Sequence, residues 1–222
     1  MGRAAFAAAI LAGLWIAVPA RAATIAVNGP CFVVGDSITA SGGGFSPGAA
    51  VSYSFDGVGS GSGAADGAGN VSTQLFAPPI DANAVVHTFN LTATDQNNLA
   101  NVASVPVTVT KLTATIDPQR AKPARKVRFS IRGLQPGRQV YLHYVLHRRA
   151  RATVALGKPS PPCGSLVVRR RFFPMATPSV GTWYFQFDES RRYSSATRPA
   201  VRGKVLLYRA FTSTSARASI LR

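Results

Sequence analysis

The stretch Gly44-Phe45-Ser46-Pro47-Gly48-Ala49-Ala50-Val51 recurs as Gly133-Leu134-Gln135-Pro136-Gly137-Arg138-Gln139-Val140, an offset of 89 residues. In each copy Pro presets φ and Gly accepts the positive φ that other residues resist, so the pattern is a tight turn between two strands. The apolar residue, Phe45 or Leu134, can tuck into a core as the chain reverses. No helical periodicity follows either copy, so neither is a phosphate loop seated on a helix N-terminus.

Short runs rich in Val, Thr, Phe and Tyr continue outward from both turns, separated by Gly, Pro, Asn, Asp and Ser. In the first half they predict strands near Thr24–Val27, Ser37–Ser41, Ala50–Phe55, Ser60–Ala65, Asn70–Phe76, His87–Asp95 and Ala103–Thr110. In the second they predict Leu112–Asp117, Lys126–Arg132, Gln139–Leu146, Ala152–Leu156, Ser165–Phe172, Gly181–Phe187 and Val201–Arg209. Seven short strands per hundred residues is the count of an immunoglobulin-like sandwich. Further pairs support a duplication: Gly69-Asn70-Val71 with Gly164-Ser165-Leu166, and His87 through Asp95 with Gly181 through Asp188. A period near 90 residues repeats a domain rather than a solenoid unit. The expected fold is all-β: two tandem immunoglobulin-like β-sandwiches after a signal peptide. The expected divisions are signal peptide 1–23, an acidic sandwich 24–111, a basic sandwich 112–209 and a flexible tail 210–222. Trp183, Phe185 and Phe187 alternate toward the core, with Tyr184 and Gln186 pointing the other way.

The N-terminus reads as a leader. Arg3 precedes an apolar run from Ala4 to Val18, Pro19 breaks it, and Ala20-Arg21-Ala22 has the small-x-small pattern of a cleavage site. The run is shorter than the 17 to 25 residues, roughly, of a spanning helix, so a cleaved leader is expected over the alternative of an uncleaved anchor, and the mature chain is expected to start near Ala23 or Thr24.

The formal charge of +17 conceals a division. Thr24 to Thr110 holds five aspartates (Asp36, Asp56, Asp66, Asp81, Asp95) and no Lys or Arg, a charge of −5. Lys111 to Arg222 holds 23 bases and three acids, a charge of +20, and Arg3 and Arg21 complete the total. Such asymmetry speaks about partners and solubility rather than fold.

The Gly-Phe-x-Pro-Gly turn, the Asp66-Gly67-Ala68-Gly69-Asn70 turn and the alternating strands resemble bacterial secreted immunoglobulin-like domains. The second half resembles an uncharacterised domain often found beside them, through Val140-Tyr141-Leu142-His143-Tyr144, Pro162-Cys163-Gly164 and Gly181-Thr182-Trp183. The first half is similar in outline to neocarzinostatin-type sandwiches, but has one cysteine where those use paired disulfides. These resemblances imply a fold more than an activity.

No catalytic motif stands out. There is no G-x-S-x-G elbow, H-E-x-x-H, C-x-x-C or Walker loop. His143 and His147, four apart on a strand, lie about 13 Å from one another, too far to share a metal comfortably. One is expected to be partly buried and the other to sit at a hairpin tip. The aspartates of the first half are scattered over turns and match no EF-hand loop. Asn70-Val71-Ser72 and Asn90-Leu91-Thr92 match a glycosylation sequon but fall in predicted strands. The expectation is no enzyme, no metal and no cofactor.

Cys31 and Cys163 are the only two cysteines, and export favours an oxidised pair. Strand alternation brings both to the junction between the modules. They form either an inter-domain disulfide or two unpaired or externally paired thiols, depending on whether their Cα atoms come within about 7 Å.

By the same alternation, Arg120, Lys122, Arg125 and Lys126 and the turn residues Arg148, Arg149 and Arg151 fall at the end of the second module far from the first. They are the candidate anion-binding set, against the alternative of a solvated, solubilising surface. Arg169-Arg170-Arg171 must send at least one side chain toward the core face or a sheet edge. The expected partner is an anionic envelope polymer, a lipid surface or another exported protein, with no specific nucleic acid. The expected function is an exported or surface-associated binding or structural protein. The alternative is a carrier holding an apolar small molecule in a cleft of one sandwich.

Overall fold

The structure is a computed structural model that describes residues 22–210 and 213–220. The expected leader therefore lies outside the described residues, apart from its last two. Among the described residues the chain is all-β and contains no helix.

The first module pairs a three-stranded sheet with a five-stranded one. The smaller sheet runs β1 (Thr24–Val27), β3 (Ser37–Gly43) and β6 (Val71–Phe76). The larger runs β2 (Phe32–Val33), β8 (Val102–Thr110), β7 (Val86–Asp95), β4 (Ala50–Phe55) and β5 (Val58–Ala64). All pairings are antiparallel except β2 with β8. Between the sheets lie Ile38, Val51, Tyr53, Phe55, Leu75, Leu91 and Val107, each with its back turned to the polar residues that alternate with it.

The second module repeats the plan. Its three-stranded sheet is β14 (Leu166–Arg171), β11 (Lys126–Arg132) and β9 (Thr113–Asp117). Its six-stranded sheet is β10 (Arg120–Ala121), β17 (Ser213–Ile220), β16 (Ala200–Ala210), β15 (Gly181–Asp188), β12 (Val140–Leu146) and β13 (Arg149–Gly157). Trp183, Phe185 and Phe187 do point into the core. There Phe185 meets Tyr144 edge-on at 4.7 Å between ring centres, and Phe173 packs edge-on against Trp183 and Phe185 at 5.2 and 5.4 Å.

The expected flexible tail from residue 210 is corrected. Residues 213–220 form β17, which pairs with β16 and takes the place beside it that the parallel β2 occupies beside β8. Ala216 and Ala218 of β17 are buried. Small residues alternating with Ser, Thr and Arg carry almost no hydrophobic signal, so the period-2 pattern is easily taken for an unstructured tail.

The duplicated turns behave as their sequence requires. Phe45 and Leu134 are buried, and Gly44 and Gly133 have φ of 84° and 85°. Each turn is also pinned by an acid from the far end of a strand. The amide of Ser46 donates to Asp95 Oδ2 and that of Gln135 to Glu189 Oε1, both at 2.7 Å. The register makes Glu189 the counterpart of Asp95, one residue beyond the expected match at Asp188: Ser52 lies opposite Thr94, and Tyr141 opposite Asp188.

Candidate functional site

A basic end. Strand direction brings the Arg120–Lys126 segment and the β12–β13 hairpin to the end of the second module far from the first. That hairpin turns through His147 and Arg148, both with positive φ (49° and 64°), as a two-residue loop matched to strand twist requires. Arg120, Lys122, Arg125, Lys126, Arg148, Arg149 and Arg151 are all exposed there.

The register adds residues that the sequence reading left out. Val127, Phe129 and Ile131 are buried, so Lys126, Arg128, Ser130 and Arg132 face outward from β11. Lys126 stands opposite Arg171, and Arg128 opposite Arg169. Directly opposed side chains have Cβ atoms about 5 Å apart, and like charges in that position repel. Along each strand the next outward residue lies about 7 Å away. The result is a block of four cations, two by two, with Asp117 the single acid opposite Arg128. None of the four cations has a carboxylate within ion-pair distance among the described residues. Arg170 registers with the inward Val127 but is exposed at the sheet edge. On the neighbouring sheet Arg120 and Arg217 form another opposed like-charged pair.

A buried polar network. The outer face of β12 and β15 holds a second constellation, which sequence reasoning missed. His143, Gln186 and Asp188 are all at most 1 % exposed, although their side chains leave the sheet on the side away from the core. They are covered by the segment 189–199 that joins β15 to β16, with the Tyr193 ring 5.7 Å from that of His143. His143 Nε2 lies 3.2 Å from Asp188 Oδ1 and 3.0 Å from the Ser190 carbonyl oxygen. Both are acceptors, so Nε2 carries a proton. In the neutral ring Nδ1 then accepts from the Thr153 hydroxyl, 2.9 Å away. Gln186 Nε2 donates to Asp188 Oδ2 at 2.6 Å, and Arg202 Nε donates to Gln186 Oε1 at 2.7 Å. Burial would raise the Asp188 pKa, but hydrogen bonds from His143, Gln186 and the Ser190 amide outweigh it and hold the carboxyl below its ordinary value. Of the two histidines weighed in the sequence, His147 is at the hairpin tip as expected, and His143 is more fully enclosed than expected.

The equivalent face of the first module shows what the sandwich itself needs. Where the second module opposes His143 to Gln186 and Tyr141 to Asp188, the first opposes Ser54 to Thr92 and Ser52 to Thr94. These are short, half-buried hydroxyl side chains, and the shorter β7–β8 connection reaches them through Gln96, which donates to Ser52 Oγ at 2.7 Å. The signal was therefore legible: long polar residues at repeat positions that need only small ones, beside a longer connection.

Junction and recesses. The structure joins Cys31 to Cys163, with Cα atoms 5.2 Å apart, so the bond ties one module to the other. Beside it lies an open recess of about 680 Å³ lined by Phe32, Val33, Leu112, Leu134 and Pro162. A smaller recess of about 470 Å³ lies over the buried network, between Tyr141, Thr153, Ala155 and Arg191. Among the described residues no group of three or more His, Cys, Asp or Glu could hold a metal ion, and no helix is long and apolar enough to cross a membrane.

No family model matches the sequence, and no curated protein matches it. Among solved structures, the chain is similar to a tetra-tandem repeat from the extending region of a large adhesion protein. The identity is 12% and the TM-score 0.26, over 90% of this chain and 63% of that one. The chain thus spans less than two thirds of that structure's length.

Proposed function

We propose that this protein is an exported, non-enzymatic binding or structural protein whose basic second module docks on an anionic polymer of the cell envelope. The observation that carries the reading is the block Lys126, Arg128, Arg169 and Arg171: four exposed cations facing one another, with Asp117 the one acid opposite and no carboxylate within ion-pair distance among the described residues. Holding like charges opposite each other is unfavourable in the free protein. An anionic chain laid over the block converts that repulsion into attraction, and Arg offers paired donors to carboxylate or phosphate groups. The residues Arg120, Lys122, Arg125, Arg148, Arg149 and Arg151 add further exposed cations at the end of the module where Lys126 and Arg171 lie. A disulfide between the two modules fits an oxidising, extracytoplasmic compartment.

A competing account of cations on β14 is edge protection, since charged residues on an edge strand discourage sheet-to-sheet pairing. Retention of the purified protein on heparin or on isolated wall material separates the two. Docking predicts that Arg169→Glu with Arg171→Glu abolishes retention while the protein stays monomeric. Unchanged retention in that variant leaves edge protection as the reason for the charges.

A further inference from the structure

The buried network beneath segment 189–199 is absent from the first module, although that module has the same sandwich. The fold therefore does not require it. On β13 it reaches solvent through Thr153, which is exposed. The Thr153 hydroxyl is oriented from behind. With His143 as the neutral imidazole, its proton goes to His143 Nδ1, because the other ring nitrogen is committed to Asp188 and Ser190. The oxygen lone pairs are left facing outward as acceptors. Asp188 and Gln186 in turn hold the imidazole, and Arg202 holds Gln186. A chain of fixed side chains thus presents one hydroxyl oxygen in one orientation.

The recess above that oxygen has three other walls. Tyr141, half-buried, offers an aromatic surface, and Ala155 a small one. Arg191 comes from the covering segment, whose path is fixed by the Ser190 amide donating to Asp188 Oδ1 at 2.8 Å and by the Ser190 carbonyl on His143. A volume of about 470 Å³ suits a small organic ligand. The three kinds of group specify complementary chemistry: an anion for the guanidinium, a hydroxyl donor for the Thr153 oxygen, and an apolar ring face for Tyr141.

We infer that this recess is a binding site for a single acidic sugar residue, a ring carrying one carboxylate and free hydroxyls. The inference rests on the docking reading for its ligand class, an anionic polysaccharide; the recess lies on the outer face of the six-stranded sheet and the cation block on that of the three-stranded sheet, so the two would meet different stretches of one polymer. The cation block gives attraction without selectivity, and the recess gives the selectivity.

The test is an amide-resolved NMR titration of the mature protein with glucuronate, with glucose and inorganic phosphate as controls. Glucuronate is expected to produce saturable shifts on β13 and in residues 189–193, with glucose and phosphate each at least tenfold weaker. Thr153→Val and Arg191→Gln are each expected to weaken binding about tenfold, the scale of one hydrogen bond lost with its partner left unpaired. Thr153→Ser keeps the oxygen and should restore binding, which separates loss of the acceptor from loss of the fold. Arg169→Thr with Arg171→Thr should leave glucuronate binding unchanged while weakening retention on the polymer. Linear, unsaturated shifts, or a Thr153→Val protein that binds as well as the parent, would overturn the site. If the polymer is retained and glucuronate is not bound, the recess inference fails and docking stands. If neither binds, both fail.

Discussion

Replacing Arg169 and Arg171 by Thr should make the protein more stable and a poorer binder. Arg169 faces Arg128, and Arg171 faces Lys126. With the charged heads about 7 Å apart in water, each pair repels by roughly 0.6 kcal/mol. At 0.15 M salt, where the screening length is about 8 Å, this falls to roughly 0.25 kcal/mol per pair. Removing both pairs should therefore stabilise the second module by about 0.5 kcal/mol, a rise in Tm of roughly 2–4 °C for a module of this size. At 10 mM salt the gain should approach about 1 kcal/mol, so the gap between variant and parent must narrow as salt is added. Binding should move the opposite way. If each lost contact removes about 0.7 from the slope of log affinity against log salt, the slope falls by about 1.4 and affinity at 0.15 M by roughly tenfold. Thermal melts at two salt concentrations and a binding series on heparin measure both. A lower Tm, or a gain that does not depend on salt, would refute the reasoning, because it would mean that these arginines are held by favourable contacts.

Three other outcomes follow from the structure. Breaking the inter-module bond with Cys31→Ser and Cys163→Ser should lower the melting temperature; its 132-residue separation sets a loop-closure ceiling of about 5 kcal/mol, and an unchanged melt would show that the bond constrains nothing in the unfolded chain. Tyr53 is buried in the first sandwich with no hydrogen-bond partner for its hydroxyl among the described residues, so Tyr53→Phe should be neutral or stabilising by up to about 1 kcal/mol in urea unfolding, and a clear loss would contradict that. Acid should loosen both modules. Burial would raise the Asp95 pKa, but Ser46, Asn97 and Asn101 outweigh it and hold it at about 2, while Asp188 is lowered by His143, Gln186 and Ser190. A carboxylate depressed in the folded state stabilises above its unfolded pKa, near 3.8 here, and that contribution is lost as pH falls through the folded value. Hydrogen exchange in segment 189–199 should therefore rise below about pH 4 in the parent but not in Asp188→Asn, and a parent unaffected down to pH 2 would refute the assignment.

Much of the fold was legible because it follows from local rules. The repeated Gly-apolar-x-Pro-Gly turn fixes where strands reverse, and alternation then assigns Trp183, Phe185 and Phe187 to the core and carries Cys31 and Cys163 to one end. β17 was not legible, because alanines alternating with polar residues carry little burial signal until β16 is known to need a neighbour. The basic site was half legible. The loop cations could be placed by strand direction, but the pairing of Lys126 with Arg171 and Arg128 with Arg169 depends on register, which no local pattern states. The polar network was hidden for a different reason. His143, Gln186 and Asp188 are far apart in sequence, and they sit on the face where alternation predicts solvent. Only the long connection after Asp188, folded back over the sheet, turns that face into an interior.

The central claim is that the second module docks on envelope polymer through its basic end. The most direct measurement is retention of the purified protein on isolated cell envelope, from low salt to about 0.5 M, where the screening length falls to a few ångströms. Docking predicts tight retention at low salt that falls steeply across the series and is lost in the Arg169→Glu, Arg171→Glu protein. No retention at low salt, or retention that ignores both salt and charge reversal, would contradict it.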